Sequence, residues 1–267
     1  MSDGGHEESA WIRRYQPTPG AARRLVCFPH AGGSATFFRP LALALSGAVD
    51  VVAVQYPGRQ DRRADPLIDS IPRYADTIAE ALAGWTDLPL HFFGHSMGAI
   101  LAFEVALRFQ REDIAVAHLF ASGRSAPSVL NADAVHRLGD DALLKEMAAL
   151  GGTDQRLLVD DELLRGALPA IRSDYKAIET YRCAPGAVLN CPITVLTGND
   201  DSRVSQAGAA AWSRHTTAGT RFAAFPGGHF FLSDQLPAIT TLITTEQGLA
   251  PHQARRAPGS TVEGEGL

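Results

Sequence analysis

Cysteine is scarce in this chain: three thiols, Cys27, Cys183 and Cys191, with no C-x-x-C spacing. An odd, sparse set of that kind excludes a disulfide framework and a zinc site. Cys27 lies in the apolar run RLVCF and reads as a buried core residue. Long hydrophobic runs are also missing, and no stretch approaches the roughly 18–20 apolar residues that span a bilayer. The N-terminus, MSDGGHEESA, is polar and acidic and lacks the apolar segment of a signal peptide, so the chain reads as cytoplasmic. Positive charge is not in excess: the formal net charge of −5 argues against a nucleic-acid binder. There is no internal repeat, no coiled-coil heptad, and no G-x-G-x-x-G after the first apolar run, which leaves a dinucleotide site without its motif.

What is present is the composition of an ordinary globular enzyme, 45% hydrophobic and 20% charged over 267 residues. That length suits one large domain, and an α/β fold of this size buries about three quarters of the surface its unfolded chain exposes. The two ends are expected to be disordered: residues 1–10 are polar, and 249–267 combine Gly, Pro and charge without enough apolar surface to order themselves.

Between the ends, short apolar runs alternate with helical patterns. The runs are 24–29, 49–57, 90–95, 117–123, 192–198 and 221–227. Most are continuous rather than alternating, as expected of parallel strands covered on both faces. The spacing predicts helices over 70–85, 97–110, 204–215 and 233–246. In the first of these Ser70 is the expected N-cap, Pro72 falls in the first turn, and Ile71, Tyr74, Ala75, Ile78, Ala81 and Leu82 form one apolar stripe. Strand–helix alternation implies a doubly wound, mostly parallel sheet. One region breaks the alternation. Residues 124–185 carry helical patterns and no strand, too much chain for a single crossover, and read as an inserted helical lid between core segments 11–123 and 186–248.

The strongest chemical signal is Gly94-His95-Ser96-Met97-Gly98, which follows LHFF and precedes AILAFEVALRF. Strand, turn and helix in that order are the context of a G-x-S-x-G nucleophile elbow, and imply an α/β-hydrolase fold with Ser96 as nucleophile. The glycines make room for a strained turn, and the new helix points its positive N-terminal end at the reaction centre. A serine hydroxyl needs a base. In this fold the order along the chain is Ser, acid, His. Of nine histidines, His215, His229 and His252 come late enough. His252 lies in the tail, and His215 falls on a predicted helix as a solvated residue. His229 follows a strand and Pro226-Gly227-Gly228, on the kind of loop that carries catalytic groups in α/β sheets. His30 and His95 are read as shaping the loops beside the serine. The acid follows PITVLTG, where Asp200 and Asp201 stand side by side and either can serve. Two backbone amides complete an oxyanion hole: that of Met97, and that of Ala31 in the loop Phe28-Pro29-His30-Ala31-Gly32-Gly33. No metal or cofactor is required.

Taken together, FPHAGGSATFFRPL (28–41), VQYPGRQDRR (54–63), FFGHSMGAILAFEVA (92–106), LTGNDDSRVS (196–205) and FPGGHFFL (225–232) resemble the type II thioesterases of polyketide and nonribosomal peptide synthesis. LLKEMAALGGT and LPAIRSDYKAIETY in the helical insert are similar to that family's lid, and the resemblance spans about residues 12–245. It implies that the acid is the fourth residue of a G-x-x-D motif, Asp201 after Gly198, with Asp200 as the alternative. It further implies hydrolysis of acyl thioesters on the phosphopantetheine arm of an acyl or peptidyl carrier protein, which clears stalled synthase modules. Met147, Leu150 and Leu157 are candidate lining residues of the acyl pocket, although core packing is the better explanation for any one of them. Arg59, Arg62 and Arg63 form a basic loop that either docks an acidic carrier protein or is simply solvated. A general carboxylesterase or lipase on the same fold, and a non-catalytic binding protein on a hydrolase scaffold, are the competing readings.

Overall fold

The computed structural model describes residues 9–130, 133–150 and 161–246. Seven strands form one sheet: β1 (Ile12–Gln16), β2 (Arg24–Phe28), β3 (Asp50–Val54), β4 (Leu90–His95), β5 (Val116–Ser122), β6 (Ile193–Gly198) and β7 (Thr220–Phe225). Their order is β1-β3-β2-β4-β5-β6-β7. Every pairing is parallel except β1 with β3.

Alternation along the strands builds two core layers. Val26, Phe28, Val52, Val54 and Phe92 face helices α2 (Ile71–Leu82) and α3 (Met97–Arg111). Leu25, Cys27, Val51, Ala53 and Phe93 face α1 (Arg39–Ala44) and the C-terminal helix Leu236–Glu246. The residues of β2 and β3 are all buried, which is why these runs read as continuous rather than alternating.

Six of the strands lie where the sequence places them, within a few residues at their ends. The first was missed. β1 reads IRRYQ, and only Ile12 is buried. It lies at the sheet edge, where Arg14 pairs with Asp50 at 2.7 Å, so it carries no periodic apolar signal. Helix 70–85 is shorter, 71–82, and the Ser70 side chain makes no capping bond. Helix 204–215 is a short helix, Gln206–Ala210, running into a 3₁₀ turn at Ala211–His215.

His215 is not a solvated surface residue. It is 5% exposed and shared between the Ala187 carbonyl at 2.9 Å and Ser128 Oγ at 2.8 Å. Burial holds its imidazole below the usual range. The basic loop is also corrected. Arg59 and Arg62 are each 7% exposed, and only Arg63 of the three faces solvent. Arg62 donates to the Gln55 carbonyl at 2.8 Å and lies over the Trp11 ring at 4.1 Å. A pair of guanidinium groups spent inside the protein is no docking surface.

Between β5 and β6 the described residues hold two helices, α4 (Asp140–Leu150) and α5 (Asp161–Thr180), and no strand. They share a small apolar cluster of Val135, Leu143, Leu168 and Ile171, with Met147 packed against it. Met147 is therefore a packing residue. Leu157, the expected disorder of the tail 249–267 and most of the N-terminal segment lie outside the described residues.

Candidate active site

In the strand order, the chain passes from β2 outward to β3 and then returns across β2 to β4. The crevice above such a reversal is where doubly wound sheets hold their ligands. Five loops converge there, all at the C-terminal ends of parallel strands: those after β2, β4, β5, β6 and β7.

Ser96 stands between β4 and α3 with φ 55° and ψ −117°. A non-glycine residue in that conformation is strained, and the strain holds its side chain clear of the sheet. Its amide donates to the Ser122 carbonyl at 2.8 Å, fixing the turn to the neighbouring strand. The flanking glycines are required by space: a Cβ on Gly98 would overlap the Phe28 carbonyl, and one on Gly94 would overlap the Gly98 carbonyl. α3 is therefore seated directly against the end of β2, and its N-terminus meets the Phe28–Gly33 loop.

His229 and Asp201 come together. Nδ1 of His229 and Oδ2 of Asp201 are 2.9 Å apart, and both residues are buried. The other carboxylate oxygen, Oδ1, accepts from the Arg203 amide at 2.9 Å. Asp200 is exposed, and its amide is tied to the Gly227 carbonyl at 3.0 Å. That bond places it in the turn and aims its neighbour inward.

Ser96, Met97, Ala31 and His229 line one cleft of about 290 Å³ together with His30 and Arg124. Among the described residues no direct hydrogen bond joins Ser96 to His229; such contacts are often long before substrate binds. Leu150 also lines this cleft. No group of three or more potential metal ligands occurs among the described residues.

Two more imidazoles lie against the site. His95 is 5.2 Å from His229, ring centre to ring centre, and 6.0 Å from His30. Nδ1 of His95 bonds Ser122 Oγ at 3.0 Å. Burial, reinforced by the neighbouring His229, holds His30 down at about 3 and His95 well below the ordinary histidine range. Both are neutral at physiological pH. Arg124 lines the cleft with Asp133, Glu179 and Arg203, and burial draws it down to about 10 against the opposing pull of Asp133 and Glu179.

Sequence reasoning missed what fixes the loop after β2. Asp174, on α5 and fully buried, accepts from the Gly32 amide at 2.7 Å and from the Tyr74 hydroxyl at 3.0 Å, and it pairs with Arg59. The one signal available was an acidic residue set at helical spacing among Ala170, Ile171, Ala177 and Ile178, which spacing alone does not interpret.

A family model described as a thioesterase domain matches residues 23–246. The chain is 44% identical to thioesterase PikA5 of Streptomyces venezuelae, over 97% of this chain and 94% of that protein. It is 48% identical to a probable cadicidin biosynthesis thioesterase of Streptomyces griseus, over 92% of this chain and 68% of that protein. Among solved structures, the type II thioesterase BorB of the borrelidin biosynthetic cluster superposes with a TM-score of 0.81 at 45% identity, covering 90% of this chain and 97% of that one. The chain is thus an α/β-hydrolase that belongs to the thioesterase domain family, on its type II branch.

Proposed function

We propose that this enzyme hydrolyses acyl groups from the phosphopantetheine arm of acyl or peptidyl carrier proteins, and so clears stalled polyketide or nonribosomal peptide synthases. The observation that carries the chemistry is the buried Asp201–His229 bond beside the strained Ser96 in a shared cleft. The carrier-protein substrate rests on the relatives, which are named as biosynthetic thioesterases.

In this reading His229 takes the proton of Ser96 as the hydroxyl attacks the thioester carbonyl. Asp201 holds the ring so that Nδ1 keeps its proton and Nε2 faces the serine. The amides of Met97 and Ala31 hold the oxyanion, each contributing about 3 kcal/mol to the transition state. The pantetheine thiol leaves with the proton from His229. Water then attacks the acyl-enzyme, and His229 acts again as base. Helices α4 and α5 form a lid that walls the acyl cleft through residues such as Leu150. The free thiols Cys27, Cys183 and Cys191 suit a reducing compartment, in keeping with a cytoplasmic enzyme.

Turnover of acyl groups loaded on a carrier protein, compared with turnover of a simple ester of the same acid, tests the substrate class. A clear preference for the carrier-bound thioester is expected, and a preference for the ester would make the protein a carboxylesterase. Ser96→Ala should lower turnover of both by about a millionfold; undiminished hydrolysis would remove Ser96 from the mechanism.

A further inference from the structure

The loop that offers the Ala31 amide to the cleft is not held by its own backbone alone. Gly33 N–H closes a turn on the His30 carbonyl at 2.9 Å, and further anchors are side chains from the segment after β3 and from α5. Tyr56 donates to the Pro29 carbonyl at 3.0 Å. Arg59 donates through Nε to the Gly33 carbonyl at 2.8 Å. Asp174 accepts the Gly32 amide, with the Tyr74 hydroxyl and the Arg59 guanidinium on the same carboxylate. Gly32 itself is left-handed, at φ +76°, and a Cβ there would press on Ile171 of α5 at 3.0 Å. The loop is thus tied on one side to the sheet and on the other to a helix that enters the chain 142 residues later.

The geometry of these bonds carries a chemical consequence. Gly32 N–H is the amide immediately after that of Ala31. Its capture by Asp174 fixes the peptide plane between the two residues and, with Gly33 held by Arg59, the orientation of the loop's amides over Ser96. A carboxylate aimed at Gly32 also draws that N–H away from the cleft, so the Ala31 amide is the loop's donor to a developing oxyanion, beside that of Met97. Asp174 is fully enclosed and Arg59 is buried, and neither lines the cleft in which the serine stands. Their charges compensate each other, which offsets part of the desolvation cost either would carry alone in the interior.

We infer that Asp174 is a positioning residue. It is held in place by Arg59 and Tyr74, and it makes the oxyanion-binding conformation of the Pro29–Gly33 loop conditional on the seating of helix α5. Seating of α5 and placement of the Ala31 amide over Ser96 are then coupled through one carboxylate. This inference rests on the reading of Ser96 and Ala31 given above.

The test uses the full-length enzyme and a small acyl thioester, so that it does not depend on carrier-protein recognition. Asp174→Asn, Arg59→Lys and Tyr74→Phe are compared with the parent for kcat, KM, and inhibition by a trifluoromethyl ketone, whose hemiketal oxyanion occupies the same hole. For Asp174→Asn, kcat should fall by about 100-fold, the scale of a misplaced reacting group, while KM stays within about twofold. The inhibition constant should rise in proportion to the loss in kcat/KM, with Tyr74→Phe the mildest of the three. Circular dichroism of the Asn variant, which preserves shape and one acceptor oxygen, confirms a folded protein. A folded Asp174→Asn enzyme with unchanged kcat, or one whose KM rises while ketone affinity is kept, would overturn the inference. Turnover that survives Ser96→Ala would instead overturn the underlying reading, whatever Asp174 does.

Discussion

The two halves of the active site are built by different means. The Asp201–His229 half is local: the residues are 28 apart, on loops that leave adjacent strands. Those loops are laced by backbone bonds, Asn199 to Phe225 at 2.8 Å and Asp200 to Gly227 at 3.0 Å, which continue the β6–β7 ladder. The half around the Pro29–Gly33 loop has little ladder to continue. It is held by Tyr56, Arg59 and Asp174, side chains drawn from distant parts of the chain. A ladder tolerates side-chain change and fails only when its strands part; a set of buried polar side chains fails one member at a time.

The most severe way to break this comparison lies in the first half. Asp201→Asn should lower kcat by about 10⁴-fold, because the amide favours the wrong tautomer of His229. Asp200→Asn should change it by less than about threefold, since its fixed group is its backbone amide; a larger loss at position 200 in steady-state assays would exchange the two roles.

A second test strikes both halves together through the histidines packed between them. His30 and His95 are neutral in the folded protein, with His30 held down at about 3, while unfolded histidine titrates near 6.5. The unfolded state therefore binds more protons between those values, and stability falls as pH drops below about 6.5, by as much as about 1.4 kcal/mol per pH unit for each histidine. Urea unfolding at pH 7.5, 6.5 and 5.5 should show this decline, and a flat profile would mean that the rings are hydrated rather than enclosed.

The smallest expected effect sharpens the contrast. Tyr56→Phe leaves the Pro29 carbonyl without its donor and should cost about 1–3 kcal/mol of stability. An equivalent truncation at Asn199, whose fixed group is its backbone amide, should cost a few tenths at most. Equal losses by thermal melting would erase the distinction between laddered and side-chain-held loops.

This division also explains what the sequence revealed. The elbow was legible because strand, glycines, serine and helix are contiguous, each constrained by its neighbours. The candidate acid and base were legible because each follows an apolar run with turn residues, although preferring Asp201 to Asp200 required the resemblance to a family. The rest was hidden for a common physical reason. Arg59 and Arg62 look like a solvated loop until Asp174 and the Gln55 carbonyl are brought to them. His215 looks like a helix-surface residue until Ala187 and Ser128 close over it. β1 has no apolar alternation because its stability comes from pairing with β3 and from ion pairs. Each depends on contacts that have no counterpart in local spacing.

The row of rings from His30 through His95 to His229 has a last consequence, for the route a proton can take. Two of its members refuse charge, so the row beyond His229 is an insulator. In the proposed mechanism a proton taken from Ser96 therefore stays on His229, and the departing sulfur is its natural destination.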